Sequence, residues 1–457
     1  MRRLTKRTTP EACAAANSCG AWEGMLTRVS LALVFLAVVA ARAQSPSRLS
    51  LESALATVDR VNVNVLLSRE ALAQAMESAL QQKADLIPSV SASVQQRRSV
   101  SPGVSATSKT AGKPADSSAA RLSGSYQLLS PQQILQYRAA KVGVAVAELD
   151  VQQTVQSVLA SVAQTFFTHL RNVKRIDVLD ANIGRARELV RLARNQVDAG
   201  VATQIDITRA ESQLSLAEQA RLQQATVVYQ SELLLKRLLD LEARGTLTLE
   251  DFVVRRVEES EFAVTDEKSL FERRADYLRT QKALEQVHEQ YKAAKSEQYG
   301  SLSLSGDYGF LNTELFDGDD QVGWSAGLGY SVPVFDGGRI KTNQRQLMSQ
   351  IRSQEYRLRQ VELLISSEMR LAHQDARSRF AQVGVAEKSL QLSEEELQLA
   401  QRRFEQGVAD NREIIDAQNR LAQASDNLNE AIYLYNLSRV ELARARGDVR
   451  SVVGERQ

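Results

Sequence analysis

Three acidic side chains that follow two glycine turns have the clearest chemical role in this sequence. Asp206 lies six residues after Gly200, and Glu413 lies six residues after Gly407, with Asp416 three residues further on. In the first turns of a helix, a carboxylate is favoured by the positive end of the helix dipole and by unpartnered backbone N–H groups. The spacing therefore predicts that a helix begins just after each glycine.

The other chemically capable residues do not form a recognisable active site. His169, His288 and His373 lie in separate helical segments without the spacing of metal ligands, and we interpret them as ordinary helix residues. The sequence contains no glycine-rich phosphate loop, nucleophile elbow or metal motif. We therefore expect a protein that is not an enzyme and has neither a cofactor nor a metal. Without a nucleotide site, partner proteins must supply the energy for any transport.

Charge and composition narrow the fold class. The net charge is +2 and both signs are interspersed, so no basic stripe predicts nucleic-acid binding. Aromatic residues make up only 5% of the chain, which suits long helices and coiled coils better than a thick globular core. The long stretch between Pro131 and Pro333, and everything after Pro333, contains no proline that would break a helix.

The N-terminus has the features of an export signal. Arg28 precedes the apolar run 29–41, and Ala41-Arg42-Ala43 fits a cleavage site before Gln44. Residues 1–43 are therefore predicted to be a signal peptide, in which 1–24 are an upstream extension if Met25 is the true start. Both cysteines, at positions 13 and 19, lie in this region, so the mature chain is expected to contain none.

An internal repeat divides the rest of the chain into two related halves. Gly200-Val201-Ala202 matches Gly407-Val408-Ala409 at a shift of 207 positions, a period too long for a solenoid unit. We expect a first repeat at 44–243, a linker at 244–265, a second repeat at 266–447 and a C-terminal tail at 448–457. Each repeat should contain a helix, a strand hairpin and a helical hairpin, with helical tips at 198–203 and 406–410.

Four short segments alternate with a period of two, which predicts strands. One face is apolar with aromatic residues and the other is mostly Ser and Gly, as is typical of strands between lipid and water. Strands of a soluble sandwich also alternate, and this is the other interpretation. The segments form hairpins within 89–130 and 300–334. The aromatic residues of the apolar face, which form interfacial girdles or simply add bulk, include Tyr126, Tyr308, Trp324 and Tyr330.

The remaining segments have helical patterns. Helices are predicted over 49–86, 131–196, 204–241, 266–298, 338–405 and 411–446. The last has a heptad seam spaced 3, 4, 3, 4 along its whole length, typical of a coiled coil; it consists of Ile414, Ala417, Leu421, Ala424, Leu428, Ala431, Tyr435, Ser438, Leu442 and Ala445. The equivalent seam in the first half is interrupted by Arg221 and Gln224.

An open sheet of four strands cannot lie in lipid, because its edge N–H and C=O groups would have no partners. Single-chain barrels begin at eight strands, so other copies of the chain must cover the edges. Two copies would give eight strands and three would give twelve, and the sheet alone does not decide between them. Both ends of each strand hairpin lead into helices, so the helices should continue the barrel as a tube on one side of the membrane.

The ordered set of motifs resembles the TolC-like outer membrane factors of efflux pumps and type I secretion systems, over residues 48–447. The resemblance rests on the two halves, the segment 333–339 and the tip motifs at 194–202 and 403–409. It implies a mainly α fold with a membrane β-barrel. Long antiparallel coiled-coil helices lie in two repeats, and four strands per chain contribute to a trimeric twelve-stranded barrel above a periplasmic tunnel. It also implies a homotrimer in outer-membrane lipid, a periplasmic adaptor protein, and a proton-driven or ATP-driven inner-membrane pump.

The resemblance also assigns roles to particular residues. The tips formed by Gly200, Val201, Ala202, Gly407, Val408 and Ala409 would dock the adaptor. Glu413 and Asp416 match positions that line the periplasmic entrance, where carboxylates from three copies would form a ring that selects cations. Asp206 matches a position that helps to hold the entrance closed. The arginine partner expected from the family is replaced by Ala409, so a latch must be built differently, with Arg412 as a candidate.

The last site predicted is the turn between barrel and tunnel, formed by Pro333, Phe335, Asp336, Gly337 and Gly338. Together these features predict a passive exit duct of the outer membrane, gated at its periplasmic tip. A periplasmic coiled-coil scaffold without a pore is the alternative, and a simple porin is disfavoured because it needs no long helices. Ducts of this shape in the family carry drugs, metal ions, siderophores and proteins.

Overall fold

The computed structural model describes residues 49–100, 115–200, 202–245, 247–250, 267–312, 321–406, 408 and 411–453. The predicted signal peptide at 1–43 lies outside these residues, as do Val201, Gly407 and Ala409. Most of the predicted linker at 244–265 and residues 454–457 of the predicted tail also lie outside them. Two compact units make up the chain. In the smaller one, Leu49 forms a parallel bridge with Leu249, and its N–H donates to the carbonyl of Thr248 at 2.9 Å.

The larger unit contains the helices and strands. Its elements are α1 (Leu51–Val61), α2 (Val63–Ala84), β1 (Ser89–Ser99), β2 (Ala115–Leu129), α3 (Pro131–Asp198), α4 (Gln204–Leu238), α5 (Glu267–Arg273), α6 (Ala275–Ser296), β3 (Ser301–Asn312), β4 (Gln321–Ser331), α7 (Arg339–Glu405) and α8 (Asn411–Ala445). Short 3₁₀ turns follow α6 and α8. α3 has 68 residues and α7 has 67, so each is about 100 Å long at 1.5 Å per residue. Among the described residues, no helix combines the length and the apolar character needed to cross a bilayer.

The four strands form one antiparallel sheet in the order β1-β2-β3-β4. Its register pairs Val90 with Gly124, Leu122 with Tyr308, and Tyr308 with Trp324. Because side chains alternate across a strand, this register brings the predicted apolar positions onto one face and the Ser and Gly positions onto the other. Within the described chain, the outer edges of β1 and β4 have no strand beside them.

The long helices lie side by side. α3 packs against α2, α4, α6 and α8. α7 packs against α6 and then against α8. The predicted seam of α8 is confirmed, because every one of its ten positions except the half-buried Leu428 is buried. Side chains at 3, 4, 3, 4 spacing share one face of a helix, so α8 buries this face against its neighbours.

The helices predicted over 49–86 and 266–298 are each interrupted, which differs from the sequence expectation. The break falls at Asn62 in the first half and at Arg274 in the second, where the backbone is extended. Asn62 Nδ2 donates to the carbonyl of Leu238 at 2.8 Å, and Arg274 Nη1 donates to the carbonyl of Ala445 at 3.1 Å. Leu238 and Ala445 end α4 and α8, whose last carbonyls have no partner within the helix. Each break therefore brings a buried polar side chain to the C-terminus of a second helix.

Candidate functional site

The first helical tip is a tight turn built around one left-handed glycine. α3 ends at Asp198, and Gly200 has a φ of 73°. The N–H of Gly200 donates to the carbonyl of Val197 at 2.9 Å, and that of Ala202 donates to the carbonyl of Gln196 at 3.3 Å. A β-carbon at position 200 would meet no atom within 4 Å, so the backbone conformation rather than space favours glycine here.

The second helix of this tip begins with a capping box formed by Thr203 and Asp206. Asp206 Oδ2 accepts from the Thr203 hydroxyl at 2.7 Å and from the Thr203 N–H at 3.0 Å. These two hydrogen bonds lower the pKa of Asp206, and the charges of Arg209 and Arg412 add to the effect although partial desolvation opposes it. Asp206 is therefore ionised at neutral pH and is held at the start of α4.

The second tip places its carboxylate differently. The N–H of Gln406 donates to the carbonyl of Arg402 at 3.1 Å, and that of Val408 donates to the carbonyl of Arg403 at 2.9 Å. Glu413 Oε1 lies 2.6 Å from Arg403 Nη1, so an ion pair joins the two helices of this hairpin. Asp416 is exposed and has no ion pair with the described residues of the same chain. Of the three predicted carboxylates, Asp416 alone presents its charge to solvent without such a partner.

A shared apolar core lies behind both tips. It combines residues of α3, α4, α7 and α8: Leu189, Val190, Ala193, Ala210, Leu397, Ala400, Phe404, Ile414, Ala417 and Leu421. Gln213 Nε2 also donates to Asn419 Oδ1 at 2.8 Å, which links α4 to α8. The two hairpins are therefore packed together near their tips. The structure brings Asp206 within electrostatic reach of Arg412, the candidate latch residue.

The segment predicted to form the barrel-to-tunnel turn lies between β4 and α7. Asp336 accepts hydrogen bonds from the N–H of Gly338 at 2.9 Å and of Ile340 at 2.7 Å, so it caps the first turn of α7. Gly337 and Gly338 both have left-handed φ angles, of 68° and 87°. Two consecutive glycines and one capping carboxylate thus determine the path of the chain into the long helix.

Two margins of the larger unit expose groups that normally have partners. One consists of the outer edges of β1 and β4, whose N–H and C=O groups face away from the sheet. The other is a stripe on α7, spaced mostly by seven residues, whose side chains are all at least 50% exposed: Leu364, Leu371, Val385, Leu392 and Leu399. Apolar residues at heptad spacing are typical of a helix that packs against another helix. The sequence reasoning missed this α7 stripe, although the spacing was available to it.

The comparisons with known proteins agree with this architecture. The family model for outer membrane efflux proteins matches residues 60–240 and 268–448. The chain is 25% identical to outer membrane protein OprJ of Pseudomonas aeruginosa over 403 residues, which cover 80% of this chain and 77% of OprJ. Its structure is similar to the CmeC outer membrane channel of Campylobacter jejuni, with a TM-score of 0.75 and 20% identity over 87% of this chain and 85% of that one. For the outer membrane protein VceC of Vibrio cholerae the TM-score is 0.75, with 17% identity over 87% and 96% of the two chains.

Proposed function

This chain belongs to the outer membrane efflux protein family, and on that premise we propose that three copies form a gated exit duct through the outer membrane. Its location is the outer membrane, and the family consists of efflux channels rather than enzymes. In the proposed duct the sheets of the three copies join as a twelve-stranded barrel, and the long helices form a tunnel in the periplasm. The tunnel is closed at the paired helical tips.

The proposal rests on two exposed margins, which are the outer edges of β1 and β4 and the α7 stripe. An unpaired sheet edge is unstable in lipid, and a ring of copies removes every edge. β1 and β4 lie at opposite edges of the sheet, so β1 of one copy can pair with β4 of the next in a head-to-tail contact that closes by rotation. The α7 stripe can likewise pack against a helix of the neighbouring copy. Three copies follow from the family resemblance, and they exceed the minimum of eight strands.

The contacts at the helical tips support the proposed gate. The shared core and the link from Gln213 to Asn419 hold the two hairpins of one chain together. The Arg403–Glu413 ion pair is exposed, and such pairs contribute only about 0.2–1 kcal/mol, so a docking protein can break it at small cost. In the trimer, the three copies of Asp416 line the entrance and favour cations over anions. Glu413 joins this ring when its bond to Arg403 opens.

The proposed partners are a periplasmic adaptor and an inner-membrane pump. The adaptor docks at the tips formed by Gly200, Val201, Ala202, Gly407, Val408 and Ala409. The described members of this set, Gly200, Ala202 and Val408, lie at the ends of the hairpins, and Val408 is exposed. The chain has no motif for nucleotide binding, so transport draws its energy from the pump.

The α7 stripe provides the test of assembly. Leu371→Glu combined with Leu392→Glu places charges on the proposed contact, and we expect the trimer to be lost. The matched control is Gln391→Glu combined with Gln398→Glu, which adds the same two charges to other exposed positions of α7. Both variants are measured by mass photometry in detergent, with and without heating. A charged-stripe variant that assembles as well as the control would overturn the proposed contact.

A further inference from the structure

The turn between β4 and α7 exposes two apolar side chains that nothing in the described chain covers. Val334 is 95% exposed and Phe335 is 91% exposed, the highest values among the large apolar side chains of the described residues. A fully exposed Phe next to a fully exposed Val is costly in water, because apolar area of this size loses about 25 cal/mol for each Å² left unburied. The pair therefore needs a covering surface.

The backbone holds this pair outward. Asp336 is tied by two hydrogen bonds to the N-terminus of α7, and the left-handed Gly337 and Gly338 set the direction of the chain. Pro333 fixes one more backbone angle just before the pair. The two apolar side chains are thus presented by a constrained turn.

The pair follows the end of the apolar face of the sheet. Along β4 this face carries Trp324, Leu328 and Tyr330, all exposed, and Val334 and Phe335 come shortly after the strand ends at Ser331. The opposite face of the strand carries Ser325, Gly327, Gly329 and Ser331. If the apolar face meets lipid, Val334 and Phe335 lie where that face ends on the side of the helices.

The aromatic residues indicate where the helix end of the sheet lies relative to the membrane surface. Trp324 and Tyr330 are six positions apart, which is about 20 Å along a strand. Membrane barrels have an apolar band of about 25 Å with an aromatic girdle at each interface. The Tyr330 hydroxyl donates to the carbonyl of Tyr299 at 2.8 Å, and Tyr299 is also exposed. Trp324 therefore marks one aromatic level, and Tyr330 with Tyr299 marks a second level at the end of the sheet that leads into the helices.

Charged residues follow immediately. Arg339 forms an ion pair with Glu297, and Lys341 is exposed within the first turn of α7. Lysine and arginine next to an aromatic level are typical of the height of lipid headgroups, where their charged ends meet phosphate.

We propose that Val334 and Phe335 insert into the periplasmic leaflet of the outer membrane and fix the depth of each subunit at the point where strands give way to helices. This inference rests on the proposed function, because it requires the apolar face of the sheet to meet lipid. The ligand is phospholipid, with the acyl chains near the headgroup around Phe335. The other occupant of this surface would be a neighbouring subunit, since β4 is an edge strand.

Tryptophan quenching by brominated phospholipid separates these possibilities. The predicted mature chain contains one tryptophan, Trp324, since Trp22 lies in the predicted signal peptide. Phe335→Trp in a Trp324→Phe background therefore places a single reporter at the turn. The variant is reconstituted in vesicles of phosphatidylcholine brominated either close to the headgroup or near the end of the acyl chain. We expect the shallow bromines to quench this reporter more strongly than the deep ones.

Two controls make the outcome decisive. Wild-type protein reports on Trp324, and its quenching tests the lipid-facing sheet itself. Ser325→Trp in the Trp324→Phe background places a reporter on the opposite face, where no quenching is expected. If Trp324 is quenched and the reporter at position 335 is not, a neighbouring subunit or water covers the turn and the inference is wrong. If Trp324 also escapes quenching, the proposed membrane barrel fails instead. Val334→Trp makes the same measurement should the first variant not assemble.

Discussion

The two helical tips come from one repeat, yet their equivalent carboxylates have different partners. Asp206 and Glu413 occupy matching positions, 207 residues apart. Asp206 binds the hydroxyl and N–H of Thr203 in its own helix cap, whereas Glu413 reaches across the hairpin to Arg403. The position that matches Arg403 in the first half is the neutral Gln196. The half that has an arginine at this position uses its carboxylate to bridge two helices, and the half that has a glutamine uses its carboxylate to cap a helix.

The bodies of the two hairpins differ in the same way. His169 and Ser231 form a buried hydrogen bond of 2.8 Å between α3 and α4. The matching positions in the second half are Ala376 and Ser438, both buried. The first hairpin thus has a titratable group where the second has a methyl group. Both comparisons show that the repeat preserves the backbone while side chains give each hairpin its own chemistry.

The largest expected effect concerns the turn at Gly200 in the first helical tip. Gly200→Val forces a β-branched residue into the left-handed region, which costs roughly 1–2 kcal/mol. We expect faster hydrogen exchange in residues around the first tip and unchanged exchange in the second. The control is Gly184→Ala, which lies within α3 with open space around it and should stabilise the helix by up to about 1 kcal/mol. Unaltered exchange at the first tip would mean that its conformation does not depend on glycine.

The next effect separates the two carboxylate roles. Thr203→Val removes the hydroxyl that binds Asp206, so the pKa of Asp206 should rise towards its ordinary value and the helix cap should lose about 1 kcal/mol. Because this pKa is lowered in the folded state, its stabilising contribution is present above the ordinary range of aspartate and is lost as the pH falls. Carboxyl resonances of a labelled protein would report the pKa. A pKa that stays low would assign the effect to the backbone N–H at position 203 together with Arg209 and Arg412.

The bridging role is tested at the other tip. Arg403→Ala removes the ion pair of Glu413, which is worth about 0.2–1 kcal/mol, so the open population should rise by up to about fivefold. Planar-bilayer recording would show more frequent openings and a stronger preference for cations, because each copy then loses the positive charge of Arg403 at the entrance. The matched control is Arg194→Ala, which removes the pair with Glu211 in the first hairpin. Equal behaviour of the two variants would remove Arg403 from the gate.

The smallest effect is the pH response of the first hairpin. Burial lowers the pKa of His169, with the charge of Lys236 acting in the same direction and that of Glu232 opposing it. The unfolded chain therefore binds a proton more readily, so stability is complete above about pH 6.5 and declines as the pH falls below it. We expect His169→Ala to weaken this acid-induced decline in thermal unfolding, and His288→Ala to leave it intact. A decline that both variants share would point to other groups.

Much of the fold could be predicted because local patterns determine it. The alternation of apolar residues such as Val90, Tyr308 and Trp324 with Ser, Gly and Asp predicted the strands, and the heptad spacing from Ile414 to Ala445 predicted α8. The ordered motifs indicated the family, which the comparisons confirm. The interruption of the first-half seam is also explained. Gln224 is buried and donates to the carbonyl of Asn172 at 3.0 Å, so a polar residue is satisfied inside the helix pair.

The features that escaped prediction depend on contacts distant in sequence. The helix breaks at Asn62 and Arg274 exist because each side chain reaches a carbonyl more than 170 residues away, at Leu238 or Ala445. Nothing within one turn of either residue indicates this. The pairing of Glu413 with Arg403 likewise requires a side chain of α8 to reach across the tip to α7. The roles proposed for the tip residues remain predictions.

The mass of the detergent-solubilised mature protein tests the central claim most directly, measured together with channel activity after reconstitution. The account predicts three copies per particle and ion-conducting channels, because only neighbouring copies can pair the outer edges of β1 and β4. A folded particle of a single copy that conducts no ions would contradict it.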